Sequence, residues 1–310
     1  MIYAKLGRTG LDCSRLGFGT WQIGGGRWKG IERKDSVELL RYAADCGVNF
    51  FDAAIVYGQY RGELNERRSH SLELLCEAFG GQQRNEIIIC LKLGQIDEYS
   101  HRAVYQPRSM VEEFHRALRE LKTDYVDICL IHAPSLGEVR DGRALAVVQT
   151  IQAMGVAKFI GYSFEAEPEH ARIALAQDID VIMFQYNLLD DECAKVFDLA
   201  NERGIGTLVG GPFKRGYLSG QFETVDDLPH GDNYWEWNLR YSPDKVKSIL
   251  TKVSQLKKEA GGAQELRKQG LRHILQDAAA HCAVVGHRTK QEITDNVRAL
   301  DEIFENSPST

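Results

Sequence analysis

The chain has 310 residues, 43% of them hydrophobic and 26% charged, with a formal net charge of −6. These are ordinary proportions for a globular protein whose core needs no disulfides. No basic stretch offsets the acidic balance, which argues against a nucleic-acid partner.

Seven cysteines, at 13, 46, 76, 90, 129, 193 and 282, form no CxxC or Cys/His ligand spacing. An odd count without a framework points to a reducing compartment. Met1 runs directly into Ile-Tyr-Ala-Lys-Leu without signal-peptide character, and the apolar runs are too short for a bilayer. A cytoplasmic protein with no membrane partner is expected.

In chain order, Leu6 to Ser14 reads as a hairpin around Thr9-Gly10. Strand-like runs follow near Leu16–Gly19, Val48–Phe51, Ile87–Leu91, Tyr125–Ile131, Phe159–Gly161, Val181–Phe184, Gly206–Val209 and Ala283–Val285. Helical stripes lie between or after them, among them Val111, Phe114, Leu118 and Leu121; Val246, Ile249, Leu250, Val253 and Leu256; and Ile293, Val297, Leu300 and Phe304. Continuous apolar strands alternating with helices imply a covered parallel sheet. Eight such units in about 300 residues fit a closed (β/α)8 TIM barrel, one domain over residues 1–310, with the hairpin capping its N-terminal mouth. Gly24-Gly25-Gly26 has the wrong spacing for a dinucleotide-binding fingerprint. The connection after the seventh barrel strand, Pro212 to about Ser242, has no clear period but carries Tyr234, Trp235, Trp237 and Tyr241. A long loop folding over the active face is expected there.

Barrel active sites form at the C-terminal ends of strands. Asp52, Lys92 and His132 each end an apolar run, and Tyr57 follows Asp52 on its loop. Each has an ordinary reading alone: a helix cap, a structural ion pair, a turn histidine, an amphipathic tyrosine. Their shared position favours chemistry. A phenol with a pKa near 10 is a poor acid at neutral pH unless a cation lowers it. Lys92 would supply the charge, Asp52 would hold the ammonium, and His132 would orient a carbonyl. Such a set protonates a carbonyl oxygen as hydride reaches carbon.

The residues Asn49-Phe50-Phe51-Asp52-Ala53-Ala54 with Val56-Tyr57-Gly58, then Leu91-Lys92-Leu93-Gly94, then Asp124-Tyr125-Val126-Asp127 through Ile131-His132, resemble the aldo-keto reductases. The opening Leu6 to Leu11, Leu16 to Trp21, Phe184 to Leu189 and Gly286 to Asn296 resemble the same family. The resemblance implies a nicotinamide cofactor on a (β/α)8 barrel, with Tyr57 as general acid/base, Lys92 and Asp52 tuning it, and His132 orienting the carbonyl. It places Ser163 and Gln185 at the nicotinamide carboxamide. The usual Ser-Asn pair reads Ser163-Phe164 here, which loses one amide contact. Gly210-Gly211-Pro212 stands where many members stack an aromatic ring on the nicotinamide, so Gly211 and Pro212 line the cofactor and Gly210 cannot cover it. Gly286 to Asn296 resembles the adenosine-phosphate site, with Gly286, Arg288, Glu292, Asp295 and Asn296 as contacts. The family implies NADP(H), and Arg288 suits a 2′-phosphate. Glu292 argues for NAD(H), because a carboxylate repels that phosphate and accepts from a free ribose hydroxyl.

Trp21, Tyr99, Trp235 and Trp237 fall on loops expected over the active face and suit a sugar or other polar carbonyl substrate. Arg61, Arg102 and Arg240 would meet phosphate or carboxylate. Two alternatives stay open: a Schiff-base aldolase using Lys92, and a cofactor-sensing regulatory subunit. No H-x-H or H-E-x-x-H spacing suggests a metal site.

Overall fold

The computed structural model describes residues 1–29, 31–58, 68–95 and 103–305. Strands β1 (Tyr3–Lys5) and β2 (Asp12–Ser14) pair antiparallel, Tyr3 opposite Ser14 and Lys5 opposite Asp12. Gly10, at φ 71°, closes the turn in the left-handed region that glycine enters without penalty.

The chain then alternates as expected. The elements are β3 (Leu16–Gly19), α1 (Arg33–Asp45), β4 (Phe50–Ala54), α2 (His70–Phe79), β5 (Ile88–Leu93), α3 (Pro107–Leu121) and β6 (Val126–His132). There follow α4 (Leu136–Asp141), α5 (Arg143–Ala153), β7 (Ala157–Ser163), α6 (Pro168–Leu175), β8 (Val181–Gln185), α7 (Ala194–Asn201) and β9 (Gly206–Gly210). The last are α8 (Asn233–Tyr241), α9 (Pro243–Ala260), α10 (Ala263–Leu275), β10 (Cys282–Gly286) and α11 (Lys290–Glu305). Strands β3 to β10 form a closed parallel barrel, β10 sealing against β3. Among the described residues no helix is long and apolar enough to cross a membrane.

Two cores result. The larger lies between strands and helices; the smaller fills the barrel with Phe50, Ile88, Cys90, Ile128, Leu130, Met183, Leu208, Cys282 and Val284. Leu6 and Cys13, both wholly buried, join this inner cluster from the hairpin and plug the N-terminal mouth. Because strand side chains alternate, the next inward position after each interior residue is determined. Phe50 leads to Asp52, Cys90 to Lys92, Leu130 to His132, Met183 to Gln185, Leu208 to Gly210 and Val284 to Gly286. The ladders run through these positions, pairing Asp52 with Cys90, Lys92 with Leu130, His132 with Ser163 and Gln185 with Gly210. The polar residues are therefore the topmost layer of the barrel interior.

The connection after β9 is more ordered than its irregular sequence suggests. It contains 3-10 turns at Lys214–Ser219 and Val225–Asp227 and the helix α8. Buried Asp232 caps α8 by accepting from the Tyr234 N–H at 3.1 Å, and Trp235 packs edge-on against Tyr217 and Phe222. Capping and aromatic burial supply the order that the missing apolar period concealed.

Leu6→Ala should open a cavity beneath the barrel and lower stability by about 2–5 kcal/mol. The fall is read as a lower urea midpoint at unchanged slope.

Candidate active site

Asp52 and Lys92 face each other inside the barrel mouth, Lys92 Nζ donating to Asp52 Oδ2 at 2.8 Å, and both are buried. Burial pulls the Lys92 ammonium down, but the charge of Asp52 and the Tyr57 phenol outweigh it and hold the amine above its usual range. Burial raises the Asp52 carboxyl, with Lys92 opposing. The ammonium stands 5.1 Å from the centre of the Tyr57 ring. That ring meets the His132 imidazole edge-on at 6.0 Å and stacks on Trp21 at 6.0 Å. All four residues of the expected tetrad thus converge.

Local hydrogen bonds fix the loop that carries Tyr57. Ser69 Oγ is within bonding distance of the carbonyls of Ala54 (3.0 Å) and Tyr57 (3.1 Å), and the Ser71 N–H donates to the Tyr57 carbonyl at 3.3 Å. Gly58 lies at φ 68° against Gly24, where any Cβ would collide with the Gly24 carbonyl. Below, Thr20 Oγ1 donates to the Asp52 carbonyl at 2.8 Å.

A cavity of about 1040 Å³ opens over these groups. Its walls include Ser163, Gln185, Gly211, Pro212, Gly286, Arg288, Glu292 and Asn296, and also Trp21, Trp235 and Trp237. Asp295 does not line it: its carboxylate turns to Gln291 at 2.8 Å and to Arg267 at 3.5 Å. Trp237 is an exposed wall residue under the Arg27 guanidinium, whereas Trp235 is almost wholly buried in the folded connection. Arg240 is exposed, stacks on Tyr241 and does not line the cavity. Tyr99, Arg61 and Arg102 lie outside the described residues.

Beside Gly210 runs a polar chain that the sequence reading missed. The Gln185 amide donates to Glu165, and Arg215 donates to the same carboxylate oxygen at 2.7 Å. Lys214 and Arg215 both adopt positive φ, 48° and 57°, and each is held by an acid, Asp190 and Glu165.

The far end of the cavity is built on α11. Glu292 accepts from the backbone N–H groups of Arg288 (2.7 Å) and Thr289 (3.2 Å), while Thr289 Oγ1 accepts from the Glu292 N–H at 3.2 Å. This reciprocal capping box fixes the carboxylate at the helix start. Arg288 pairs at 3.0 Å with Asp232, which also accepts from the Lys29 N–H at 3.3 Å. Asn296 bonds through Nδ2 to His287 Nε2 at 3.1 Å, and its buried Oδ1 has no hydrogen-bond partner among the described residues. Fully buried His287, beside Phe18, is pushed down to about 3 and stays neutral. An oriented amide with an open acceptor, beside Arg288 and Lys29, fits the adenosine end of a dinucleotide.

The Aldo/keto reductase family model matches residues 15–307. Aldo-keto reductase YhdN of Bacillus subtilis (strain 168) is 29% identical over 314 residues, covering 98% of this chain and 88% of its own. The NADH-specific methylglyoxal reductase of Escherichia coli (strain K12) is 26% identical, covering 96% and 92%. A probable voltage-gated potassium channel subunit beta of Oryza sativa subsp. japonica is 25% identical, covering 98% and 92%. The holo form of an aldo-keto reductase from Bacillus halodurans superimposes with a TM-score of 0.76 at 24% identity, over 100% of this chain and 93% of that one. The chain belongs to the aldo/keto reductase family. It is an oxidoreductase of that family, using a nicotinamide cofactor to interconvert carbonyl and alcohol groups.

The low His287 value gives a pH test. From pH 6.5 down to about 3 the unfolded chain binds a proton here that the folded chain excludes, so this residue's stabilisation falls as pH drops. Its share is about 1.4 kcal/mol per pH unit. Unfolding free energies of the wild type should therefore fall more steeply on acidification than those of His287→Gln; parallel slopes would remove the effect.

Proposed function

We propose that the chain reduces a small polar carbonyl compound, with Tyr57 donating the proton to the carbonyl oxygen. The observation that carries this reading is the buried Lys92–Asp52 pair beneath the Tyr57 ring. As Tyr57 gives up its proton, the growing phenolate charge is stabilised by the Lys92 ammonium in a site largely shielded from water. Asp52 keeps that ammonium in place and charged. His132, edge-on to Tyr57, orients the carbonyl, and Trp21 backs the phenol ring. A bound nicotinamide supplies the hydride. Ser163, Gln185 and Asn296 would hold its two ends, with Glu165 and Arg215 completing the wall beside Gly210. In the opposite direction Tyr57 takes the proton back. Trp21, Phe164, Gln95 and Arg27 give the cavity a mixed aromatic and polar lining, which suits a sugar or another polar carbonyl compound.

Lys92 as a Schiff-base nucleophile is disfavoured, because an amine held charged by Asp52 has no lone pair to offer. A cofactor-sensing role gains support from the channel β subunit among the relatives. The intact tetrad favours turnover. Steady-state catalysis over many cycles would separate the two.

The family resemblance implies NADP(H), but two contacts favour NAD(H). Glu292 holds a negative charge on the N–H groups at the start of α11, and Asp232 already engages Arg288. A 2′-phosphate would meet one carboxylate and find its guanidinium shared. The NADH-specific relative agrees with this preference.

Tyr57→Phe should lower kcat by roughly 10²–10⁴-fold, since only proton transfer is lost. Cofactor affinity by fluorescence titration should stay within about twofold; retention of most of the rate would dismiss Tyr57 as the acid. Glu292→Gln keeps a capping box yet removes the charge. It should move the ratio of NADPH to NADH affinity roughly tenfold toward NADPH, and an unchanged ratio would count against the role given to Glu292.

A further inference from the structure

One phenol outside the tetrad ties two of its strand ends together. Tyr105, between β5 and α3, donates its hydroxyl to the backbone carbonyl of His132 at 2.7 Å. Its ring lies against Gly94, two residues beyond Lys92, where a Cβ would overlap the ring and where φ is 103°. The neighbouring Val104 N–H donates to the Gly94 carbonyl at 2.7 Å, and the Gly94 N–H meets Glu113 at 3.4 Å. The Tyr105 side chain therefore spans from the end of β5 to the end of β6.

The peptide it grips is under strain. Ala133, directly after His132, has φ 48°, a left-handed conformation that is unfavourable for a residue with a Cβ. Such a conformation persists only where its surroundings over-determine it. Here the two polar groups of one peptide are both engaged: Tyr105 binds its carbonyl, and its N–H, on Ala133, donates to the Ser163 carbonyl at 2.7 Å. Released from Tyr105, the peptide could turn to relieve Ala133, and the imidazole on the adjacent Cα would lose its fixed place beside Tyr57. Burial, reinforced by Glu138, Glu113 and Glu167, raises the Tyr105 hydroxyl, which keeps the proton it donates.

We propose that Tyr105 is a positioning residue for the carbonyl-reduction step, acting through the His132–Ala133 peptide to set the His132 imidazole. The proposal rests on the carbonyl-orienting role given to His132 above. It requires no contact between Tyr105 and substrate or cofactor.

Tyr105→Phe removes the hydroxyl and keeps the ring on Gly94. It should lower kcat/KM roughly three- to tenfold, the worth of one hydrogen bond, with cofactor affinity within about twofold of wild type. Placed in a His132→Ala background and measured by single-turnover stopped flow, it should lower the rate no further, because the group it positions is gone. A structural role alone would add its full factor in that background. The second readout needs no turnover: histidine-ring NMR signals, with that of His132 assigned by its loss in His132→Ala, should shift or broaden in Tyr105→Phe. Wild-type kcat/KM in Tyr105→Phe, an undiminished factor in the double variant, or an unmoved His132 signal would each overturn the proposal. If His132→Ala alone keeps full activity, the role of His132 falls and the Tyr105 proposal with it. If only Tyr105→Phe is silent, the reading of His132 stands.

Discussion

The organising constraint is a buried charge pair at the top of an apolar barrel. Removing an ammonium and a carboxylate from water costs several kcal/mol each, and their attraction offsets this only where geometry is good. Lys92 and Asp52 meet at 2.8 Å, with Met183 Sδ 3.7 Å from the ammonium and Cys90, two residues before Lys92 on β5, opposite Asp52. Asp52 Oδ1 is buried without a hydrogen-bond partner among the described residues. A pair selected for stability alone would have that oxygen satisfied or both groups replaced by apolar side chains. The arrangement makes sense if the ammonium serves a third group, and the Tyr57 ring is the group in position.

The same barrel explains what was legible in advance. An interior filled by alternating side chains forces each strand's last inward residue into the mouth, so a polar residue ending an apolar run is a direct report of position. Asp52, Lys92 and His132 were found that way, and Gln185 obeys the same rule. The residues that the resemblance assigns to a cofactor line the cavity, Asp295 excepted, and no spacing pattern pointed to them. What stayed hidden depends on pairing across long separations between loops: Arg215 with Glu165, and Arg288 with Asp232, 50 and 56 positions apart. Neither loop has a period that would aim its side chains. Helix α8 was hidden for a related reason. Its aromatic residues pack on the neighbouring turns and on the β3–α1 loop rather than along a regular apolar stripe. Glu292 was legible as a carboxylate of the adenosine-like segment, but its bonds to two backbone N–H groups were not.

Strain is concentrated at the mouth. Of the four non-glycine residues with positive φ among those described, Ala133, Lys214 and Arg215 border the cavity or its rim, and only Lys122 terminates a helix elsewhere. Each mouth residue has a fixed anchor: Tyr105 and Ser163 for the peptide before Ala133, Asp190 for Lys214, Glu165 for Arg215. The cost of these conformations is met by contacts from neighbouring strand ends and the loops that leave them.

The folded connection joins the two ends of the site. Asp232, at the start of α8, holds Arg288 and the Lys29 backbone near the start of α11. Two residues on, Tyr234 stacks on Trp28 at 4.4 Å and meets Trp21 edge-on at 6.0 Å. Trp21 in turn stacks on Tyr57. A wall of aromatic rings therefore runs from the capped helix start to Tyr57, with the Arg215 guanidinium 5.9 Å from the Trp21 ring. Rings in mutual contact cannot move far independently, because close-packed interiors transmit displacement instead of absorbing it.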